Sequence, residues 1–312
     1  MSNIFDALQK SVAEYAGSDA LRNAEAIELL RNAESRAATT WDSRAKARPS
    51  AEGSQGAAVV AAVSVMGTAD VFDEMRLLNV SPPKDNRLVT LTQAESSAAE
   101  AFRLLSVRLR HLQRELAIKK LLITSTIPQE GKSVVSANLA CTLALKGEQK
   151  VLLLEGDLRR PTLMRSFGLS GNPGLCECFQ DGRPLGTCIY QLKDTGIWIL
   201  PAGQVTNSAP NLLQSEWLSP IMDRLNVWFD WIIIDSPPVL PLADTSVWAR
   251  LADGIILVTR QGVTEKRDLR TGLEGLDRQK LIGAVLNCSR NATHSDYYYG
   301  SPTPAERDSE RD

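Results

Sequence analysis

The sequence is short of the residues on which several function classes depend. It has two histidines, His111 and His294, and five dispersed cysteines, Cys141, Cys176, Cys178, Cys188 and Cys288. An odd, scattered set of thiols makes no disulfide framework. Cys176 and Cys178 lie in Leu175-Cys-Glu-Cys-Phe179, one residue too close for a usual zinc knuckle, so reduced and partly buried thiols are expected there. Excess charge of one sign is missing too: 35 basic residues face 37 acidic ones, which gives no reason to expect a nucleic-acid partner. No long hydrophobic run is present. The most apolar stretch outside the expected strands, Ala57 to Met66, is alanine-rich and well short of the roughly 20 residues that span a bilayer. The opening Met1-Ser-Asn-Ile-Phe-Asp has no basic start followed by an apolar core. No signal peptide is expected, and the protein is expected in the cytoplasm, meeting a membrane only through a partner.

What is there divides by composition. Residues 1–38 read as a helical extension, with Ile4, Leu8, Val12 and Tyr15 on one face and a weaker second pattern at Leu21, Ile27, Leu30 and Ala33. This is either a docking helix for a partner or a local helical hairpin. Residues 39–92 read as a linker. Ala, Ser, Gly, Pro and charges dominate from Thr39 to Asn86, as in disordered chain, and Arg87 to Thr92 is expected to be a short extended lead-in. Residues 93–288 read as the main domain. An amphipathic helix, Glu95 to Leu116, precedes apolar runs expected as strands at Leu121–Ser125, Val151–Glu155, Ile197–Pro201, Trp231–Asp235, Gly254–Arg260 and Leu281–Asn287. Helical patterns lie between them at Lys132–Lys146, Ala209–Asn226, Ala243–Leu251 and Thr264–Arg278. Nearly continuous apolar strands alternating with helices imply an α/β fold with a doubly wound, mostly parallel sheet and ligands at the strands' carboxyl ends.

The first expected strand runs into Thr126-Ile-Pro-Gln-Glu-Gly-Lys-Ser133 and then a helix, the context of a phosphate-binding P-loop. The loop backbone, from Thr126 through Gln129, Glu130 and Gly131 to Lys132, Ser133 and Val134, is expected to cradle the phosphates of ATP. Lys132 is expected to reach the β/γ oxygens and Ser133 to coordinate Mg²⁺. The first glycine of the usual pattern is Thr126 here. A second strand, Trp231-Ile-Ile-Ile-Asp235, ends in a carboxylate expected near the metal, unless Asp235 merely caps the next turn. A third ends Glu155-Gly-Asp157-Leu-Arg-Arg160, placing Glu155 and Asp157 at the site's mouth with Arg159 and Arg160 behind. Such cations stabilise charge on a transferring group. Asn287, at the end of the last strand, is a candidate contact for the nucleotide base. After Cys288 the chain turns polar, and Tyr297, Tyr298 and Tyr299 have no apolar periodicity to bury them. Residues 289–312 therefore read as a flexible tail that can present tyrosines to a neighbouring site, unless the aromatics anchor it to its own domain.

Together these motifs resemble the bacterial tyrosine kinases (BY-kinases) of polysaccharide export, over roughly Gln93 to Gly300. The resemblance rests on Glu100-Ala-Phe-Arg103, the Gly-Lys-Ser loop, Asp157-Leu-Arg159, Leu200-Pro-Ala-Gly203 with Pro210-Asn-Leu-Leu213, Asp235-Ser-Pro-Pro238, Gly283-Ala-Val-Leu-Asn287 and Tyr297-Tyr-Tyr299. It implies an ATP- and Mg²⁺-dependent autokinase regulating capsule or exopolysaccharide polymerisation and export. Lys132, Glu155, Asp157, Arg159 and Asp235 would be catalytic, with Ser133, Asp157 and Asp235 at the metal. Tyr297 to Tyr299 would be phosphorylated in trans by a neighbouring subunit of a homo-oligomeric ring. A transmembrane polysaccharide co-polymerase, the chain-length regulator, would activate the kinase at the inner membrane, and a tyrosine phosphatase would oppose it. The chain departs from the family at Glu155, usually Asp, at Gln129, usually Gly, and at Ser106, where the leading helix usually carries an arginine. Two other readings remain: a nucleotide-binding regulator without kinase activity, and a partition or division-site ATPase. The latter carry a signature lysine where this chain has Ile127.

Overall fold

A computed structural model describes residues 72, 75–83, 86–145, 147–204, 209–240 and 244–289. The helical extension at residues 1–38, most of the expected linker and the tyrosines Tyr297 to Tyr299 lie outside the described residues. In chain order the elements are β1 (Arg76–Leu78), α1 (Val89–Thr92), α2 (Ser97–Leu116), β2 (Lys120–Ser125), α3 (Lys132–Ala144), β3 (Val151–Glu155), α4 (Leu163–Ser166) and α5 (Leu175–Asp181). A 3₁₀ turn (Leu185–Cys188) follows, then β4 (Tyr190–Leu192), β5 (Ile197–Leu200), α6 (Ala209–Gln214), α7 (Leu218–Trp228), β6 (Trp231–Asp235), α8 (Asp244–Leu251), β7 (Gly254–Arg260), α9 (Lys266–Glu274) and β8 (Leu281–Asn287).

Among the described residues the strands form one eight-stranded sheet in the order β1-β4-β5-β3-β6-β2-β7-β8, parallel except for the β4–β5 pair. Its central strands are apolar through their middles because both faces are covered, and they turn polar only at their ends, as at Ser125, Glu155 and Asp235. Leu121, Ile123, Val151, Leu153, Trp231 and Ile233 join the core under α2 and α3. Leu122, Leu152, Leu154, Ile232 and Ile234 join the core on the opposite face with α5 and α7. The chain lays β3 to one side of β2, returns to insert β6 between them, and then adds β7 on the other side. That reversal opens a crevice at the carboxyl ends of β3, β6 and β2.

Three expectations are corrected. The stretch read as disordered linker enters the sheet at its end: Arg76–Leu78 pairs in parallel with Tyr190–Leu192, and Phe72 packs edge-on against Trp198 and Phe229. Three residues with mostly exposed side chains leave no periodicity to read. The lead-in at Arg87 to Thr92 is a helical turn rather than extended chain. Asn138, buried in α3, organises it by accepting from the Thr90 N–H (3.1 Å) and donating to the Arg87 carbonyl (2.8 Å). The single helix expected over Ala209–Asn226 is two, because Ser215 folds back onto the Leu212 carbonyl (2.7 Å) and Trp217 turns out against Phe179. Pro220 then falls in the first turn of α7, where its missing N–H breaks no helical bond. The strand β4 is marked in the sequence by the turn that ends it: Lys193-Asp-Thr-Gly196, with Asp194 and Gly196 both left-handed, leads it back into β5.

Candidate functional site: three strand ends around a phosphate loop

The loop between β2 and α3 starts from buried backbone. Val239 and Leu240, after β6, donate to the carbonyls of Ser125 (2.8 Å) and Thr126 (3.1 Å). Thr126 is fully buried and its hydroxyl has no partner. Gln129 takes a left-handed conformation (φ 67°), the one in which a glycine would be unstrained, at an expected cost of about 1–2 kcal/mol. Gly131 (φ 93°) caps α3, and a β-carbon there would collide with the Asn287 amide. This leaves the backbone N–H groups at the start of α3, including those of Ser133 and Val134, without acceptors inside the helix, the electropositive end suited to phosphate.

Lys132, the first residue of α3, pairs with Asp157 (Nζ to Oδ2, 3.0 Å) and lies 3.4 Å from the Ser133 hydroxyl. Asp157 follows β3, and its other oxygen accepts the Arg160 N–H (3.1 Å). Asp235 ends β6, in register with Glu155 on one side and Ile123 on the other. Its Oδ1 lies 3.2 Å from the Ser136 hydroxyl, while Oδ2 is buried without a partner. Burial pushes its carboxyl up to about 6, opposed by the charge of Lys132 and the nearby Ser133 hydroxyl, which stops short of a full hydrogen bond. A buried carboxylate oxygen with nothing to bind is costly unless a cation meets it. Ser133, Asp235 and Asp157 together are hard oxygen donors that fit Mg²⁺. Among the described residues no three His, Cys, Asp or Glu side chains gather into a self-sufficient metal site.

Glu155 is held otherwise than the sequence suggests. It is 1% exposed, and its two oxygens accept the N–H groups of Leu163 (2.7 Å) at the start of α4 and of Ala202 (3.1 Å) after β5. Burial raises its pKa, and these two bonds oppose the rise. The carboxylate braces two loops. Arg159 is bidentate on Asp244 at the start of α8 (2.5 and 3.1 Å), a partner that no motif in the sequence announces. Arg160 is exposed. Asn287 donates to the Glu130 carbonyl (2.8 Å), so it lies against the loop. Ser136, one helical turn beyond Ser133, was readable from its spacing and was missed. Cys176, Cys178 and Cys188 are core residues.

No family model matches the chain. It is similar to the tyrosine-protein kinase YwqD of Bacillus subtilis (strain 168), 31% identical over 217 residues, which is 69% of this chain and 91% of that protein. To the putative tyrosine-protein kinase CapB of Staphylococcus aureus it is 32% identical over 207 residues, covering 66% of this chain and 90% of that one. Among solved structures it resembles the kinase domain of the Escherichia coli tyrosine kinase ETK (TM-score 0.61, 29% identity), with 64% of this chain and 79% of that one covered. It also resembles the chimerical protein CapA2B2 (TM-score 0.59, 25% identity), over 70% and 98% of the two chains.

Proposed function

Because the chain belongs to the bacterial tyrosine kinases of capsule and exopolysaccharide biosynthesis, we propose that it transfers the γ-phosphoryl group of ATP to tyrosines of its own kind. One observation carries the assignment of the site: Lys132 and Asp157 pair beside Asp235, whose buried oxygen lacks a partner, at the mouth of a glycine-capped phosphate loop. In this reading the loop N–H groups bind the phosphates, and the Lys132 ammonium offsets their charge. Ser133 and Asp235 would hold Mg²⁺, with Asp157 beside them, and the ion would supply charge neutralisation for the phosphates. Asp157 is the carboxylate assigned to take the tyrosine proton, because its Oδ2 faces Lys132 beside the phosphate loop, whereas Glu155 is turned to the backbone of α4 and of the loop after β5. The bonds of Arg159 to Asp244 use two of its five donors, leaving others for the transferring group.

The acceptors in this reading are Tyr297, Tyr298 and Tyr299, reached in trans within a ring built through α2, and a tyrosine phosphatase reverses the modification. Leu104 (57% exposed) and Val107 (62% exposed) give α2 an apolar outer surface for a second copy of the chain. Among the described residues no helix is long and apolar enough to cross a membrane. Recruitment to the inner membrane is assigned to a transmembrane polysaccharide co-polymerase that also activates the kinase.

The test incubates the full chain with ATP and Mg²⁺, with and without the co-polymerase's cytoplasmic part, and probes for phosphotyrosine. Lys132→Met is expected to abolish the signal, and Phe at 297, 298 and 299 to remove the acceptors. Phosphotyrosine that persists in Lys132→Met overturns the reading.

A further inference from the structure

We infer that the ends of β7 and β8 mould the phosphate loop from outside, with Arg260, Thr264 and Asn287 as positioning residues that aim its backbone N–H groups. The inference deepens the proposed nucleotide site and rests on nucleotide binding there, but not on phosphoryl transfer.

The loop gains from an external support because one of its residues resists its shape. Gln129 is left-handed where glycine would be relaxed. The support is visible around Glu130, whose side chain is fully buried. Its carboxylate accepts the Ile127 N–H (2.8 Å) across the turn and the Thr264 hydroxyl from the loop after β7. The Thr264 oxygen in turn accepts the Arg260 N–H (2.9 Å), and its single proton has two acceptors within reach, the Glu130 carboxylate and the more distant Arg260 carbonyl (3.2 Å). Two further donors reach the loop carbonyls. Arg260 Nη1 lies 3.4 Å from the Gln129 oxygen, and Asn287 Nδ2 lies 2.8 Å from the Glu130 oxygen. The Cys288 N–H donates to the Asn287 side-chain oxygen Oδ1 (2.9 Å), so the amide is oriented with its NH₂ toward the loop.

The consequence follows from peptide geometry. In a planar trans peptide the C=O of one residue and the N–H of the next point in opposite directions. Drawing the Gln129 and Glu130 carbonyls outward, toward β7 and β8, therefore turns the N–H groups of Glu130 and Gly131 inward. Those are the donors a phosphate needs. Asn287 thus acts on the phosphates through the loop and has no need to touch the base.

The distinction can be measured on the full chain by calorimetry with Mg²⁺, using ADP and inorganic tripolyphosphate, which has phosphates but no base. Thr264→Val and Asn287→Asp are each expected to weaken both ligands alike, by about tenfold, the effect of one lost hydrogen bond in a buried network. Thr264→Ser should restore binding, which a purely steric role of the threonine methyl would not. Binding by Thr264→Val as tight as in the unchanged protein overturns the inference. So does an Asn287→Asp protein that weakens for ADP while holding tripolyphosphate normally, since that outcome makes Asn287 a base contact. Should one variant fail to fold in a thermal melt, the other decides. Phosphotyrosine formation is assayed separately. Its absence in a protein that binds nucleotide counts against the kinase reading, while calorimetry still decides this one.

Discussion

Asp235 shows how a single residue couples the site to stability. Its carboxyl ionises near 3.8 in an open chain and near 6 when folded, because burial disfavours the charge. Between those values the folded protein holds a proton that the unfolded chain has released, so stability falls as pH rises through the window and the loss is complete above 6. A difference of that size is worth on the order of 3 kcal/mol. Without nucleotide or Mg²⁺, Asp235→Asn should flatten the slope of unfolding free energy between about pH 4 and 6, measured by chemical denaturation. A slope equal to that of the unchanged protein would refute the assignment. Glu155 makes a different case. The sequence shows a carboxylate at the mouth of the site, but which backbone N–H groups it meets depends on α4 and the loop after β5 arriving there. As a brace, Glu155→Gln should lower stability by about 1–3 kcal/mol, the cost of leaving a buried donor unsatisfied. It should leave phosphotyrosine formation detectable at saturating ATP. Full stability with no phosphotyrosine would instead make Glu155 the proton acceptor.

Among the elements, the central strands and the β8 edge were legible and the β1 edge was not. β3, β6, β7 and β8 span the ranges that the apolar runs mark, since strands packed between helical layers carry runs of apolar residues. β1 holds its place through backbone pairing and the neighbouring Met75 and Phe72, none of which leaves a pattern in so short a segment. The Phe72 ring sits edge-on to Trp198 (5.6 Å) and Phe229 (5.7 Å), with the Lys150 ammonium 3.8 Å from its centre. Phe72→Ala should therefore cost about 1–3 kcal/mol in burial and ring contacts. It should also change the environment of Trp198, read as a shift in tryptophan emission of the folded protein. No loss of stability and no spectral change would mean that the segment before β1 does not anchor the sheet edge. In α2, Ser96 caps the first turn by accepting the Ala99 N–H (3.2 Å), and Ser106 is buried with its hydroxyl turned back to the Arg103 carbonyl (2.7 Å). Arg110 donates to the Leu143 carbonyl (2.7 Å), so it is engaged with α3.

For the whole molecule, assembly is the property most open to test. Leu104→Asp with Val107→Asp should shift a ring toward monomer in light scattering and reduce phosphorylation in trans, leaving nucleotide affinity unchanged. An oligomer unaffected by both charges would move the contact away from this face of α2. Local patterns in the chain were enough to establish that a parallel sheet would form and that a lysine, a serine and acidic side chains would meet at its carboxyl edge. Apolar runs and a strand–loop–helix motif are short-range signals, and strand ends in a doubly wound sheet have one place to go. What each polar group touches came only with the packed molecule. Glu155 turns to the backbone, Arg159 to Asp244, and Thr264 and Asn287 to the loop, because hydrogen-bond partners far apart in the chain are chosen by packing rather than by spacing.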